Sequence, residues 1–282
     1  MNISMLYIPE APKSIQKGVP LKNVLGVEAI DCLAHNISHV FPDFQGAEFR
    51  SVALDSLDAL EFMDRGLHIA KALRSYLPDK FEEAVNIILA TLTPPNTETE
   101  GLGLAVLFYQ PHSCFVSQYG LDKIYNGDED PFNIAMKAQY ELTKRNTSEF
   151  SIRPFLIQQQ ERTLSRLMEW TSDKDPHVRR LCSEGTRPRL PWAPRIPSFV
   201  NDPMPVLPIL EELKNDQNLY VRRSVANHLG DILKDHPEMV FAICERWLKN
   251  STKEVKWLIR HALRHPAKKE NRTALQLRAA AK

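Results

Sequence analysis

The chain reads Val178-Arg-Arg-Leu and, 43 residues later, Val221-Arg-Arg-Ser; a third stretch, Val255-Lys-Trp-Leu, follows after another 34 residues. Each stretch comes after an apolar segment with helical spacing and a short polar turn. Units of helix, turn and helix with about this period are typical of two-helix repeats of the HEAT type. The three stretches therefore predict stacked helix pairs in the C-terminal half, with each valine in the core.

The rest of the chain also follows a helical pattern. Apolar residues recur at helical spacing in most segments, and strand-like alternation is scarce. Outside the repeats we expect helices near residues 27–40, 49–60, 64–77, 80–93, 104–109, 114–119, 131–144 and 154–171. The predicted fold class is therefore all-α, a HEAT-like helical-repeat solenoid.

Prolines and charge indicate how the chain is divided. Pro9, Pro12 and Pro20 predict an extended lead-in over residues 1–25. We expect residues 26–266 to form a single HEAT-like repeat domain, and residues 267–282, rich in Lys and Arg, to form a basic C-terminal tail. A chain of 282 residues with 43% hydrophobic residues can bury a sizeable core.

The composition also restricts the compartment. The N-terminus does not have the pattern of a signal peptide, and we find no apolar run of about 18 residues. The four cysteines are scattered without Cys-x-x-Cys spacing, which argues against a zinc site and a disulfide framework. We expect a cytoplasmic, nucleoid-associated monomer that needs no metal and no membrane. Asp31, His35 and His39 fall four residues apart, but they lack the Glu of a His-Glu-x-x-His motif.

The formal net charge of +1 conceals a division of charge. Residues 1–152 carry 12 Lys and Arg against 20 Asp and Glu, a net charge of −8. Residues 153–282 carry 24 against 15, a net charge of +9. A basic half on an otherwise balanced chain indicates a polyanionic partner such as nucleic acid.

The arginines beside the repeat valines are candidates for contacts with a duplex backbone. On successive second helices of a solenoid they would line a basic concave face that binds double-stranded DNA. The alternative is that these arginines bridge neighbouring repeats through Asp and Glu. The candidate DNA-binding residues are Arg153, Arg179, Arg180, Arg187, Arg189, Arg222, Arg223, Lys256 and Arg260.

A proline-rich loop interrupts the first repeat after Glu184. Residues 185–203 contain five prolines, so the loop is stiff and non-helical, and loops inserted into a solenoid commonly lie on the binding face. Glu184 stands among four arginines and should remain ionised, and Trp192, next to Pro191, offers an aromatic surface. A structural ion-pair cluster at a helix end, with the tryptophan in a packing role, is the competing interpretation.

Three stretches resemble the AlkC group of DNA alkylation-repair glycosylases. They begin at Glu149-Phe-Ser-Ile-Arg-Pro-Phe, at Val178 and at Val221, and the resemblance is specific over about residues 130–240. It implies a HEAT-like solenoid that clasps DNA and hydrolyses the N-glycosidic bond of cationic N3-methylated bases, chiefly 3-methyladenine and 3-methylcytosine, without a cofactor. The chain departs from the group at Gly230, where an asparagine is expected, and it resembles a shorter form without an immunoglobulin-like domain.

Four residues are the candidates for the reaction. An oxocarbenium-like sugar is stabilised by fixed negative charge, an aromatic surface and a positioned water. Glu184 is expected to be the main carboxylate, Trp192 the aromatic wall, and Asp231 a second carboxylate from the next repeat; the resemblance supports Glu149 as a further one. Asp231 could instead pair with Arg222, Arg223 or Lys234, and Glu149 could cap a helix.

Two functions remain open at this point. The signature loop contains no lysine, which favours a monofunctional hydrolase over a Schiff-base lyase. The alternative is a non-enzymatic HEAT-repeat scaffold that binds DNA or an acidic protein, which would explain the repeats and the charge division equally well.

Overall fold

The computed structural model describes residues 6–127 and 129–282. Within these ranges the secondary structure is helical and contains no β-strand, which confirms the all-α prediction. The chain divides into two compact units, Met1–Ser151 and Ile152–Lys282. None of the described helices combines the length and the apolar character needed to cross a membrane.

The first unit contains seven α-helices within its described ranges. They are α1 (Val27–Val40), α2 (Gly46–Leu54), α3 (Phe62–Tyr76), α4 (Phe81–Ala90), α5 (Gln110–Tyr119), α6 (Lys123–Asn126) and α7 (Phe132–Thr143), with short 3-10 helices at Leu21–Leu25, Leu57–Ala59 and Ala105–Tyr109. Helix α3 packs closely on α5. Gly66 allows this approach, because a Cβ there would lie 2.8 Å from the Gln110 side chain.

Two predicted helices end or break earlier than their apolar pattern indicates. The helix expected near residues 49–60 ends at Leu54, since Ser56 adopts a left-handed conformation with φ of 57°. The helix expected over residues 154–171 is divided at Gln159, whose φ of −136° and ψ of 53° are not helical. Apolar spacing does not reveal single residues whose backbone leaves the helical region.

The second unit carries the repeats. Its helices are α8 (Arg153–Gln158), α9 (Gln160–Trp170), α10 (Pro176–Glu184), α11 (Pro197–Asn201), α12 (Leu207–Leu213), α13 (Leu219–Ile232), α14 (Pro237–Leu248), α15 (Lys253–Ala262), α16 (Arg264–Lys268) and α17 (Arg272–Ala280), with a 3-10 helix at Met204–Val206. Helices α10, α13 and α15 pack side by side, and each also contacts its own first helix, α9, α12 or α14. The predicted helix pairs are therefore confirmed, and all three repeat valines are buried.

The turns of the repeats are closed by equivalent residues. Asp175, Asn218 and Thr252 each stand three positions before a repeat valine and cap the second helix with a side-chain oxygen. Arg179 and Arg222 each stand one position after the valine and donate to two carbonyls of the preceding turn. These two arginines act within the protein, which differs from the DNA contact expected of them.

The arginine of the first repeat also joins it to the second. Arg179 donates to both carboxylate oxygens of Asp216, at 2.6 and 3.1 Å, and this interaction raises the pKa of the guanidinium. Arg179 therefore bridges two neighbouring repeats, which was the alternative interpretation of these arginines.

Residues 267–282 contain helix α17, which packs against α14 and α15. Lys256 donates to the main-chain oxygen of Lys282 at 3.1 Å, and Arg260 donates to that of Ala281. The two side chains therefore hold this segment, and the DNA contact expected of them stays a prediction.

All four cysteines are free thiols in the structure. Cys32, Cys182 and Cys244 are buried, and Cys114 is partly buried. Burial raises the pKa of Cys32 to about 11 and the pKa of Cys114 and Cys244 to about 12; it also raises the pKa of Cys182.

Candidate active site

The last residue of α10, Glu184, lies inside the second unit with both oxygens engaged. Oε1 accepts a hydrogen bond from Arg187 Nη1 at 2.6 Å and lies 3.5 Å from Arg180 Nη2. Oε2 accepts from the Ser224 hydroxyl of α13 at 2.6 Å. The side chain is only 7% exposed, so these groups replace the water that an ionised carboxylate requires.

The surroundings keep Glu184 ionised. Burial on its own would raise the pKa of this carboxyl, but the charges of Arg180 and Arg187 and the hydrogen bonds from Ser224 and Arg187 together outweigh burial. The net result is a pKa below the ordinary value for glutamate.

Arg187 connects Glu184 to Asp231. Its Nε and Nη2 both lie 2.8 Å from Oδ2 of Asp231, while its Nη1 is held by Glu184. Oδ1 of Asp231 accepts from Lys234 at 2.9 Å, which is one of the pairings considered from the sequence. We call Glu184, Arg187 and Asp231 the ion chain; it brings together two of the four candidate residues through one buried guanidinium.

Arg153 holds the loop after Glu184 in place through hydrogen bonds. This side chain is almost completely buried, with 1% exposure. Its guanidinium donates to the carbonyls of Gly185 at 3.1 Å, Arg187 at 2.8 Å and Pro194 at 3.0 and 2.6 Å. Arg153 was expected to bind DNA, and the structure instead turns it inward to hold both ends of the loop.

Trp192 projects from this loop. It is 70% exposed, and its φ of 65° lies in the left-handed region, which bulky residues rarely adopt. Such strain is retained only where the surroundings enforce it, and it is concentrated at functional sites. The conformation and the exposure of Trp192 together favour the aromatic surface expected of it over the packing role that was the alternative.

A cleft of about 750 Å³ opens between the loop, α13 and the α15–α16 corner. It is lined by Arg187, Arg189, Pro191, Asn227, Gly230, Asp231, Leu233, Lys234, Ala262, Arg264, His265, Pro266 and Lys269. Asp231 supplies the carboxylate in this lining. Pro191, which directly precedes Trp192 in the chain, also lines the cleft. Glu184 does not line the cleft.

The other candidates lie outside the ion chain. Arg180 stacks over Tyr220, 4.8 Å from the ring centroid. Arg189 pairs with both oxygens of Asp235, at 2.7 and 2.6 Å. Arg223 is exposed on α13. Glu149 belongs to the first unit, where it accepts a hydrogen bond from Thr147 at 2.8 Å.

Several residues of the site were not selected from the sequence. Ser224 and His228 share a face of α13 with Asp231, and their i, i+4, i+7 spacing could have indicated this. Arg264 and Lys269 were not among the candidates, whereas Lys234 was considered only as a partner of Asp231, and His265 only as a solvated or phosphate-facing residue. No group of three His, Cys, Asp or Glu side chains in the described ranges is arranged to hold a metal.

His228 lies behind the ion chain and is completely buried. Its Nδ1 is 3.0 Å from the carbonyl oxygen of Ser183, and its Nε2 has no hydrogen-bond partner in the described part of the chain. Burial, assisted by the charge of Arg187, lowers its pKa to about 4. The imidazole is therefore neutral at physiological pH.

Fold and site together define a helical-repeat protein with a buried ion chain beside a cationic cleft. No model of a known protein family matches the chain. The uncharacterized protein YhaZ of Bacillus subtilis (strain 168) is 37% identical over 258 residues, which cover 91% of this chain and 67% of YhaZ. The structure of the Pseudomonas fluorescens alkylpurine DNA glycosylase AlkC, bound to DNA containing an abasic site analog, is 36% identical and superposes with a TM-score of 0.80. The match covers 94% of this chain and 69% of that one. The chain belongs to the AlkC family, which confirms the resemblance seen in the sequence.

Proposed function

We propose that the protein is a DNA alkylation-repair glycosylase that hydrolyses the N-glycosidic bond of cationic N3-alkylated bases in double-stranded DNA and so initiates their excision. The expected substrates are 3-methyladenine and 3-methylcytosine. The observation that carries the proposal is Asp231 in the cationic cleft, fixed by Arg187, beside a rigid loop that exposes Trp192. Membership of the AlkC family supports the same activity.

The chemistry requires little from the protein. An N3-alkylated adenine or cytosine already carries a positive charge, so it leaves with the electron pair of the glycosidic bond and needs no strong acid. The sugar becomes an oxocarbenium-like cation, to which water adds at C1′ and then loses a proton. Fixed negative charge close to C1′ lowers the energy of that cation.

Asp231 suits this role better than Glu184. Both carboxylates are buried and have both oxygens engaged, but Asp231 lines the cleft and Glu184 does not. We therefore assign the carboxylate beside the sugar to Asp231 and make Glu184 a positioning residue for Arg187, which departs from the expectation that Glu184 is the main carboxylate. Trp192 would contact the lesion or the deoxyribose, and Glu149 remains a further candidate on family resemblance.

The activity is tested by incubating the protein with methylated duplex DNA and measuring released bases by chromatography. We expect the wild-type protein to release 3-methyladenine and 3-methylcytosine. Loss of one positioned stabilising group typically costs about 100-fold or more in kcat, so Asp231→Asn should lower the rate by about that factor. Trp192→Ala should lower it as well.

Lys253→Ala is a matched control, because Lys253 is an exposed cation of the same unit outside the cleft. It should leave base release unchanged. A wild-type protein that binds methylated DNA but releases no base would favour the non-enzymatic scaffold. A fully active Asp231→Asn variant would refute the role given to Asp231 while leaving the enzyme class intact.

A further inference from the structure

The far wall of the cleft carries cations that the ion chain does not use. Arg264 and His265 begin α16 and Lys269 follows it, while Lys234, which follows α13, lines the same cleft. His265 and Lys269 are exposed and Arg264 is half-buried. These cations line the cleft in which the proposed reaction takes place, but the reaction itself does not use them.

The positive charge of this wall is not neutralised inside the protein. Arg187, Arg189 and Lys234 in the same cleft all pair with carboxylates. Arg264 donates instead to two neutral oxygens, the carbonyl of His261 at 2.7 Å and the amide oxygen of Asn227 at 3.0 Å. Within the described ranges, neither Arg264 nor Lys269 forms an ion pair.

The two hydrogen bonds of Arg264 also fix its direction. Asn227 accepts from Arg264 while its oxygen lies 3.3 Å from Nε2 of His261, so α13 and α15 hold the guanidinium from both sides. A guanidinium held in this way loses little side-chain entropy when it binds an anion. Guanidinium, ammonium and imidazolium groups on one wall of an open cleft match the oxygens of a phosphodiester.

We propose that Arg264, His265 and Lys269 form a phosphate-binding site for the DNA strand, in which His265 takes up a proton when the phosphodiester binds. The proposal rests on the proposed function, since it gives the DNA in the cleft its anchor. It makes DNA affinity depend on pH, because the site carries its full positive charge only when His265 is protonated.

The charged surroundings of His265 explain the coupling. Burial lowers the pKa of this imidazole, and the charges of Arg264, Lys268, Lys234 and Lys269 lower it further. His261 faces it from α15, and Asp231 lies across the cleft. A phosphodiester placed among these cations offsets their charge, so the pKa of His265 rises and the bound state holds one more proton.

The test measures dissociation constants for a duplex containing an abasic-site analogue, at several salt concentrations and at several pH values from about 5.5 to about 8, which span the ordinary imidazole pKa. Lys269→Ala and Arg264→Ala should each weaken binding by about tenfold. Each should also reduce the slope of log affinity against log salt by about 1. The control Lys253→Ala should change neither quantity.

The histidine is tested by pH. Wild-type affinity should rise as the pH falls, His265→Gln should remove that part of the rise, and His265→Lys should bind tightly throughout. A titration of the His265 ring protons by NMR should show a higher pKa with the duplex than without it. Inorganic phosphate as a second probe should produce a smaller shift at the same ring if the site recognises the phosphate group alone.

The outcomes separate this site from the enzymatic activity. If Lys269→Ala and His265→Gln bind DNA as the wild type does, with the same salt slope and pH dependence, the phosphate site is wrong even when bases are released. If the wild type releases no methylated base but its DNA binding depends on these residues, the site stands and the glycosylase is wrong. The Lys269 side chain is exposed and forms no ion pair within the described ranges, so its variant stays informative if Arg264→Ala does not fold.

Discussion

Arg187 is the residue on which the position of both carboxylates depends. It pairs with Glu184 at 2.6 Å and with Asp231 at 2.8 Å, and its own exposure is below one-tenth. Loss of one member of a buried charged group leaves the others without a partner and typically costs about 3–5 kcal/mol of stability. The sequence pattern placed Glu184 among arginines and Asp231 on the next repeat, but only the fold decides which carboxylate reaches the cleft.

Two glycines near this cluster should respond in opposite ways to alanine. Gly230 lies inside α13, and a Cβ there would be 3.6 Å from the carbonyl of Ala262, an ordinary contact. Gly230→Ala should raise the free energy of unfolding by about 0.5–1 kcal/mol, because alanine favours the helix. At Gly185 a Cβ would be 2.7 Å from Ile152, so Gly185→Ala should lower it.

Urea denaturation of the wild type, Gly230→Ala and Gly185→Ala measures both changes in the free energy of unfolding. The two variants carry the same substitution, so effects common to any Gly→Ala change in the unfolded chain cancel in the comparison. A Gly230→Ala protein less stable than the wild type would show that the cleft floor does not tolerate a methyl group.

At the scale of elements, the loop that carries Trp192 depends on a helix distant in sequence. Arg153 in α8 makes four hydrogen bonds to three carbonyls between Gly185 and Pro194. Leu190 and Ile196, which belong to the same loop, are buried. Backbone carbonyls gathered around one guanidinium fix the loop before DNA arrives, which reduces the ordering cost of binding.

Removal of this guanidinium should reduce base release without abolishing the fold. Arg153→Ala leaves the carbonyls of Gly185, Arg187 and Pro194 without their donor, and we expect kcat to fall by about 10-fold or more, since misplacement of a site residue by 1 Å can cost about 100-fold. Added guanidinium ion should restore part of the rate by entering the vacated space. Trp192→Ala, which removes no buried donor, should show no rescue. Equal responses of the two variants would contradict this role.

The sequence predicted the repeated helices well, but it predicted poorly where a single residue ends a helix or determines a contact. The valines, the polar turns and the apolar spacing of the repeats specify helix pairs locally, so their pattern was sufficient. Arg153, Arg179 and Arg222 could not be distinguished from DNA-binding arginines, because an arginine that donates to carbonyls and one that faces solvent look the same in a sequence. Lys234 and Arg264 enter the cleft only through the packing of α13 against α15.

At the scale of the whole molecule, each unit buries a neutral histidine. His112 in the first unit and His228 in the second are both completely buried, and burial lowers their pKa values from 6.5 to about 3 and about 4. Thr91 lies 3.3 Å from His112 Nε2, and the Ser183 carbonyl lies 3.0 Å from His228 Nδ1. Both units are therefore linked to pH through the same kind of group.

Stability should fall in both units as the solution becomes acidic. Below pH 6.5 the unfolded chain protonates these imidazoles while the folded chain does not, so the unfolded state binds more protons and each histidine lowers the free energy of unfolding by up to about 1.4 kcal/mol per pH unit. The loss continues until the pH reaches the folded pKa. Urea unfolding at about pH 7 and about pH 5 measures it.

A control for this effect is His39→Gln, which replaces an exposed histidine of α1. It should keep the wild-type pH dependence, whereas His112→Gln should weaken the dependence in the first unit. A wild-type protein equally stable at both pH values would contradict the linkage.

The buried thiols bear on the proposed glycosylase activity, which would place the protein where alkylating agents are present. The reactive form of cysteine is the thiolate, and a raised pKa keeps Cys32, Cys114 and Cys244 protonated at neutral pH. The electrophiles that modify DNA bases would therefore find few thiolates among these three cysteines. Buried, protonated thiols would limit reaction of the protein with the alkylating agents whose damage the proposed glycosylase would remove.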